Sequence, residues 1–357
     1  MRRVSVANAK PGMILGRAVY DTRGRLVLGE GDRLIADSLE TLVRSGAAEI
    51  LIEDPRVADV PVGSLFPAQV EAKVVQALHV MLVTHEGTTE GISSPDLLAI
   101  QPWVKKMAER LFPEILGEPD LSGVASLQGY DYIHPVKTAG LSMLLGRFAE
   151  LSLEDIVKLG MAAMLQNVGY LSMPPGILEG AESLTEDEWV HVRKHPQHSA
   201  KLLADSDLEP DVIAAIEQHH ERWSGSGYPE GRKGDEISFF ARIIALADTY
   251  HALLSKRPHR AALKPHEAVE FIVAYSGESF DPELTQIFAR RMPQYPAGLV
   301  VRLSTGEVGI ISNPNAGHIA RPVARICYED GNAVQEPYDL NLSERECMTK
   351  LIVEVLL

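Results

Sequence analysis

The hydrophobic positions follow two different periods along the chain. In the middle, apolar residues recur at three- and four-residue spacing, which predicts α-helices. The predicted helices span residues 134–149, 155–165, 186–204, 210–220, 238–254 and 265–275. Towards both ends, short apolar runs alternate with glycine-containing turns, which is typical of β-strands. The pattern therefore predicts a mainly α fold, a helical bundle with a small β-rich unit on each side.

The β-rich ends carry recognisable start and stop signals. Between two predicted β regions, "ADSLETLVRSG" has helical spacing, with Asp37 or Ser38 as its cap and Gly46 as its end. "AGLVVRLSTGEVGIISN" predicts two strands around a turn, and "PVARICYEDGNAVQEPYDL" repeats that arrangement around Asp330 and Gly331.

A chain of 357 residues is too long for one ordinary core, so we expect several units. We predict a small α/β accessory domain at residues 1–60 and a helical connector at 61–120. The helical bundle itself is predicted at 121–292, and a β-rich extension at 293–357.

Charge and cysteine content narrow the function classes. Lys and Arg total 34 and Asp and Glu total 49, a net charge of −15 that argues against nucleic acid or anionic membranes as partners. It leaves room for a local basic pocket for a small phosphate ligand. The two cysteines form neither a disulfide framework nor a zinc motif, and no apolar run is long enough for a signal peptide or a membrane span. We expect a cytoplasmic protein.

The strongest chemical signal is a pair of histidines, His219 and His220, at the end of a predicted helix. A glycine-rich loop follows at residues 222–236, and the next predicted helix carries Asp248. Imidazoles together with a carboxylate suit Fe, Mn or Zn. For the pair alone, two solvated histidines at a helix end are the simpler interpretation.

The surrounding motifs resemble the HD-GYP family, the cyclic di-GMP phosphodiesterases of the HD superfamily. That family's pattern is HHE, a short gap, DGxGYP and a helix ending in AD. The corresponding stretches of this sequence are "HHERWSGSGYP" and "ARIIALAD". Further matching stretches lie at residues 134–146, 159–178, 195–203, 257–260 and 277–288. The resemblance implies an HD-superfamily helical bundle that holds two or three Fe or Mn ions.

Mapped motif by motif, the resemblance implies five metal ligands: His134, His195, His219, His220 and Asp248. The HD pair itself falls on Gln166 and Asn167. Three further departures from the family pattern are Tyr130 for a glutamate, Tyr170 for a lysine and Ser224 for an aspartate.

The missing HD pair bears directly on catalysis. The aspartate of that pair bridges two ions in the family, and the neutral amide of Asn167 is a poor substitute. One ion position is left with only His134 and Asp248, whereas the other keeps three imidazoles. Since two-metal hydrolysis depends on water activated between the ions, we expect hydrolysis to be lost or severely reduced, with no ion or one weakly held ion.

Ligand-binding features persist in the resemblance. Arg257 and Arg260 match basic positions near the ligand phosphates, where guanidinium groups bind well, and Tyr170 occupies the phosphate-anchor position. The GYP loop keeps Gly225, Gly227, Tyr228 and Pro229, and in the family this loop also contacts GGDEF-domain proteins. Alternatively, the arginines cap a helix and the loop is only a turn.

Four other residues invite a functional interpretation that we do not adopt. Pro196 interrupts the helical pattern that would align His191 and His198 with His195, so we expect both to be surface residues. His251 follows Asp248 by three positions, but we do not expect it to replace a lost ligand. Trp223 is expected to pack the loop onto the helices rather than to stack on a base.

The leading hypothesis is a degenerate HD-GYP protein of bacterial cyclic di-GMP signalling that binds the nucleotide or a partner protein without hydrolysing it. One alternative is an active phosphodiesterase with an atypical metal site. The other is a pure interaction module without any ligand. A homodimer is compatible with each of them.

Overall fold

The N-terminal unit consists of two small antiparallel sheets and one helix. The computed structural model describes residues 1–63, 65–86, 91–112, 130–173, 185–255 and 261–356. Strand β1 (Arg2–Ser5) pairs with β4 (Glu49–Ile52), and β2 (Val19–Tyr20) pairs with β3 (Leu26–Leu28). The predicted helix is α1 (Ala36–Arg44). Its apolar side, including Leu42, packs on the sheet residues.

The cap of α1 lies earlier than predicted. Ile35 is the N-cap, and the Ser38 hydroxyl accepts a hydrogen bond from the Ile35 N–H at 3.2 Å. Neither Asp37 nor Ser38 is therefore the capping residue itself. Gly46 follows the helix with φ +78°, a conformation that glycine adopts without strain.

The middle of the chain is helical, as predicted. The helices are α2 (Ala68–Thr84), α3 (Ser94–Leu97), α4 (Gln101–Arg110), α5 (Tyr130–Phe148), α6 (Leu153–Leu165), α7 (Glu186–Val192), α8 (His195–Leu202), α9 (Pro210–Gln218), α10 (Phe239–Leu254), α11 (Pro265–Ala274) and α12 (Pro282–Arg291). Helix α12 was not among the predicted helices. The predicted helix 186–204 is two helices, because Pro196 has no N–H to continue a helix from α7 and instead sits in the first turn of α8.

One continuous core joins these helices. Val74 and Leu78 of α2 pack in the same buried cluster as Leu144 of α5 and Leu159 of α6. Helix α10 contributes buried residues on nearly every side. The chain upstream of residue 120 thus shares its core with the bundle, and the predicted boundaries at residues 60, 120 and 292 stay predictions.

The C-terminal unit is a five-stranded antiparallel sheet in the order β8-β7-β6-β5-β9. Its strands are β5 (Val300–Leu303), β6 (Val308–Asn313), β7 (Val323–Glu329), β8 (Asn332–Asn341) and β9 (Ile352–Leu356). The two predicted strand pairs are present, and the second turns at Asp330 and Gly331, both with positive φ. The fold class, mainly α with small sheets at both ends, is confirmed.

The two β-rich units contact one another. The Arg3 N–H donates to the Gly298 carbonyl at 2.9 Å, and the Arg325 guanidinium pairs with Asp59. None of the described helices combines the length and the apolar character that crossing a bilayer requires.

A buried carboxylate at the start of α12 provides a test of the fold. Asp281 accepts hydrogen bonds from the Glu283 N–H at 2.8 Å and from Arg242 Nη1, also at 2.8 Å. We expect Asp281→Ala to lower the free energy of unfolding by about 2–4 kcal/mol, because the helix loses its cap and a nearly buried arginine loses a partner. Urea denaturation measures this loss.

Asp281→Asn is the matched variant, since asparagine also caps helices, and it should lose clearly less than the alanine variant. Glu283→Ala, at an exposed position of the same turn, should stay within about 0.5 kcal/mol of the wild type. Equal losses in all three variants would contradict the assignment.

Candidate functional site

Three histidines converge where α8 and α9 meet. His195 is the first residue of α8, and His219 and His220 directly follow α9. Their ligand-type nitrogen atoms all lie within 4.8 Å of one another. His195 and His219 are fully buried. We call these three residues the three-histidine site.

The hydrogen bonds of this site leave its lone pairs facing inward. His195 Nδ1 lies 2.7 Å from the Val192 carbonyl and His219 Nδ1 lies 2.6 Å from the Ile216 carbonyl, so each Nδ1 carries the proton and donates it. Each Nε2 is therefore an acceptor, and the two Nε2 atoms are 3.2 Å apart. Two lone pairs at that distance repel one another unless a cation lies between them.

A proton does not supply that cation at neutral pH. Burial lowers the pKa of His195 to about 3 and the pKa of His219 to about 4, and burial also holds the pKa of His220 well below its ordinary value. Neutral, inward-facing imidazoles are what a divalent transition metal binds, and backbone carbonyls on the outer nitrogens are the usual support for such ligands. The residues of the three-histidine site therefore fit a metal ion.

A second group of polar residues lies beside it, around Asp248 on α10. Asp248 Oδ1 accepts from His134 Nε2 of α5 at 2.7 Å and from Gln166 Nε2, at the end of α6, at 2.9 Å. Burial alone would raise the pKa of Asp248, but the neighbouring His134 holds it well below its usual range. Asp248 is thus an ionised acceptor that ties three helices together.

The donor set around Asp248 does not fit a metal ion. His134 Nε2 donates to Asp248, and His134 Nδ1 lies 2.8 Å from Nδ1 of His251, so both ring nitrogens contact protein groups. Gln166 turns its amide N–H, which has no lone pair to give, towards the carboxylate. The ligand-type atoms left are the oxygens of Asp248 and the buried Gln166 Oε1, which has no hydrogen-bond partner among the described residues. Two such residues are too few for tight binding.

The backbone of Gln166 is held in place by a hydroxyl group of α8. The Ser199 hydroxyl donates to the Gln166 carbonyl at 2.7 Å and accepts from the Gly169 N–H at 2.8 Å. A Cβ on Gly169 would lie 2.1 Å from the His195 carbonyl oxygen, so only glycine permits this approach. The end of α6 is thereby locked against α8, with Asn167 half-buried next to Gln166.

The glycine-rich loop 222–236 is held by one buried carboxylate. Glu221 accepts from three backbone N–H groups, those of Glu230 at 2.8 Å, Gly231 at 3.1 Å and Arg232 at 3.0 Å. Gly227 sits where a Cβ would come within 2.3 Å of the Arg222 nitrogen. The loop is therefore a fixed structure beside the three-histidine site.

Aromatic rings border the site on two sides. The Tyr170 ring lies 4.3 Å from the His195 ring, and Tyr228 stacks on His220 at 4.8 Å between ring centroids. Trp223 instead contacts the Arg242 guanidinium, 5.5 Å from its ring, and so packs the loop onto α10.

The family model described as HD domain matches residues 95–284, more than half of the chain. The chain belongs to the HD domain family. The match covers both the three-histidine site and the surroundings of Asp248. Curated relatives that are cyclic di-GMP phosphodiesterases confirm the resemblance to HD-GYP proteins.

Among the curated relatives, cyclic di-GMP phosphodiesterase PA4108 of Pseudomonas aeruginosa is 32% identical over 209 residues, 58% of this chain and 50% of that protein. The cyclic di-GMP phosphodiesterase response regulator RpfG of Xanthomonas campestris pv. campestris is 36% identical over 160 residues, 43% of this chain and 42% of that protein. The 3'3'-cGAMP-specific phosphodiesterase 3 of Vibrio cholerae is 33% identical over 150 residues, 42% of this chain and 33% of that protein. The chain spans half or less of the length of these relatives.

Among solved structures, Bd1817, a HDG"Y"P protein from Bdellovibrio bacteriovorus, matches with a TM-score of 0.50. It is 14% identical, and the match covers 80% of this chain and 97% of that one. At this identity the likeness concerns the fold alone.

The remaining candidate residues lie outside the three-histidine site or outside the described part of the chain. Arg257 and Arg260 lie outside the described residues, as does the side chain of Tyr130. His191 is exposed as expected, whereas His198 is half-buried. His251 is buried against His134 and does not join the three-histidine site.

Two residues of the site were missed by sequence reasoning. Glu221 belongs to the quoted HHE motif, and a carboxylate directly before a glycine-rich loop was a signal that it could hold that loop. Ser199 gave no signal, because its role depends on the packing of α8 against the end of α6.

The loop anchor leads to a prediction. Glu221→Gln should lower the free energy of unfolding by about 1–3 kcal/mol, because one carboxamide cannot accept all three N–H groups. Hydrogen exchange of the backbone amides of Gly231 and Arg232 should become faster, because these two N–H groups donate to the Glu221 carboxylate in the wild type. The matched control is Glu230→Gln, an exposed carboxylate of the same loop that pairs with Arg232 and should change stability by less than about 1 kcal/mol. Unchanged exchange in Glu221→Gln would be incompatible with the anchor.

Proposed function

We propose that this HD-domain protein binds a cyclic dinucleotide beside a single metal ion in the three-histidine site, and that it hydrolyses the nucleotide slowly or not at all. One observation carries the proposal: the Gln166 amide nitrogen donates to the carboxylate of Asp248, where a metal ligand would have to offer a lone pair. The relatives named as cyclic di-GMP and 3'3'-cGAMP phosphodiesterases support a cyclic dinucleotide as the ligand class.

The proposed division of labour follows from the donor chemistry. A metal ion held by His195, His219 and His220 supplies positive charge for a phosphate group. The cluster of Asp248 with Gln166 and His134 acts as a structural brace, because His134 and Gln166 both donate hydrogen bonds to the Asp248 carboxylate. Binding is therefore retained in this proposal, whereas the paired-ion chemistry of hydrolysis is not.

Groups around the three-histidine site suit the rest of such a ligand. The rings of Tyr170 and Tyr228 flank the site, and nucleobases stack on aromatic faces regardless of sequence. The guanidinium of Arg193 lies 5.9 Å from the centroid of the Tyr228 ring, within reach of a phosphate bound there. The roles of Arg257 and Arg260 as phosphate contacts belong to the same proposal.

A second candidate function is protein docking through the GYP loop, with a GGDEF-domain protein as the partner. The favouring observation is that the loop is held rigidly by Glu221 yet exposes Ser224, Ser226 and Glu230. A fixed loop loses little conformational entropy on binding. Loss of a GGDEF-domain partner on substitution of Ser226 would support this function, with nucleotide binding unchanged.

Metal content tests the number of ions. We expect about one Mn²⁺ per chain, because the three-histidine site is the one donor set among the described residues that fits an ion. His220→Ala should weaken that binding by at least about 10–100-fold, since loss of a ligand costs no less than loss of an outer-shell partner. Equilibrium dialysis followed by metal analysis measures both quantities.

His191→Ala, an exposed histidine of the neighbouring helix, is the control and should bind like the wild type. Two ions per chain in the wild type, or none at millimolar Mn²⁺, would contradict the single-ion site.

Restoring the HD pair tests the origin of the catalytic loss. The double variant Gln166→His/Asn167→Asp replaces the amide donor with an imidazole and supplies a bridging carboxylate. We expect it to bind a second Mn²⁺ and to hydrolyse cyclic di-GMP at least about 100-fold faster than the wild type, because a metal ion stabilises the transition state by several kcal/mol and about 2.7 kcal/mol corresponds to 100-fold. Chromatography of the linear product provides the rate.

Gln166→Asn/Asn167→Gln, which permutes the two amides, is the matched control and should hydrolyse the nucleotide no faster than the wild type. Wild-type hydrolysis as fast as that of the restored variant would overturn the proposal, and so would a folded, two-ion double variant without activity.

A further inference from the structure

A large cavity lies away from the three-histidine site, at the junction of the N-terminal unit, the helical bundle and the C-terminal unit. Its volume is about 480 Å³, which falls within the range of small-molecule sites. Its wall combines residues of the first 51 positions with α2, α5, α10 and the segments at 261–265 and 292–299. Junctions between structural units are places where ligand sites commonly form.

Most of the wall is apolar. Representative lining residues are Val75, Ile133, Val136, Leu254, Met292 and Leu299. They come from four separate parts of the chain, so the apolar surface surrounds the space and does not form a flat face. Such a wall favours a ligand with an aromatic or aliphatic body.

Three charged groups of the wall lie together. Glu71 of α2 is paired with two cations, Lys137 Nζ at 2.9 Å and Arg17 Nη2 at 3.4 Å. All three side chains are at least three-quarters buried, with 16%, 12% and 23% of their surface exposed. Two cations on one carboxylate leave a net positive charge at this point of the wall.

The other charged lining residues do not cancel that charge. Among the described residues that line the cavity, the cations are Arg3, Arg17, Lys137 and Lys264, and the acids are Asp21, Glu49 and Glu71. Asp21 is engaged by Arg25, which lies outside the wall, at 2.7 Å. An anionic group beside Lys137 and Arg17 would therefore complete the local charge balance.

We propose that this cavity binds a small, mainly apolar molecule that carries one anionic group, with the anion at Lys137 and Arg17. The site is separate from the proposed dinucleotide site, and its ligand is smaller and far less polar than a cyclic dinucleotide. One wall residue, His251, contacts His134, whereas none of His195, His219 and His220 lines the cavity.

A matched pair of fluorescent probes tests the proposal on the full chain. The anionic probe is 8-anilinonaphthalene-1-sulfonate, and N-phenyl-1-naphthylamine is its neutral analogue without the sulfonate. We expect one anionic probe per chain, bound about tenfold or more tightly than the neutral one, because the sulfonate forms charge-assisted hydrogen bonds. Equal affinity for both probes would overturn the anionic part of the proposal.

Two variants test whether the probe binds in this cavity. Ala68→Trp, at the start of α2, fills the cavity and should abolish binding of both probes. Lys137→Met keeps the apolar stem and removes the charge, so it should weaken the anionic probe about tenfold and leave the neutral probe unchanged. Ala316→Trp, on an exposed loop of the C-terminal unit, is the matched control and should bind both probes normally.

Unchanged anionic binding in Lys137→Met would place the probe elsewhere and refute the site. Because Lys137→Met does not fill the core, it decides the question even if Ala68→Trp fails to fold. Excess Mn²⁺ or cyclic di-GMP should not compete with the probe, and direct competition would show that it occupies the dinucleotide site instead.

Discussion

The carboxylate of Asp248 is the constraint on which the arrangement of the bundle centre depends. It accepts hydrogen bonds from α5 through His134 and from the end of α6 through Gln166, while its own backbone belongs to the buried helix α10. A buried carboxylate must be compensated by donors or cations. In this chain the donors are side chains of α5 and of the end of α6, so the carboxylate links three helices.

The surroundings of Asp248 and the three-histidine site therefore differ in electrostatics, although the family resemblance assigns both to one metal centre. Around Asp248, every neighbouring group donates to the carboxylate or to another histidine, so the electrostatic requirement is met within the protein. Around His195 and His219 the electrostatic requirement is not met within the protein. The lone pairs of the two Nε2 atoms face one another, and a cation between them would remove the repulsion. The amide of Gln166 contributes to this difference, because its N–H group is directed at Asp248, where a metal ligand would have to direct a lone pair.

The sequence predicted the helices and the grouping of the histidines well, because the helical period and the motif order depend on local spacing. His195 and His219 approach one another although they are 24 positions apart, as the motifs implied. The orientation of the Gln166 side chain was beyond sequence reasoning, because it depends on a hydrogen bond to Asp248, which is 82 positions away in the chain. Helix α12 was missed although Asp281 and Pro282 form a cap and a first-turn proline, since its apolar face is short.

The contact between the two β-rich units has a consequence for how the protein reaches its folded state. Leu51, Val57, Val60 and Val62 share a buried cluster with Ile310 and Cys327, and Arg3 is hydrogen-bonded to Gly298. Contacts of such long sequence separation form late and slow folding. During synthesis, the apolar side of the first unit therefore stays uncovered until residues 298–327 have left the ribosome. Apolar surface that is exposed in a partly folded chain favours aggregation.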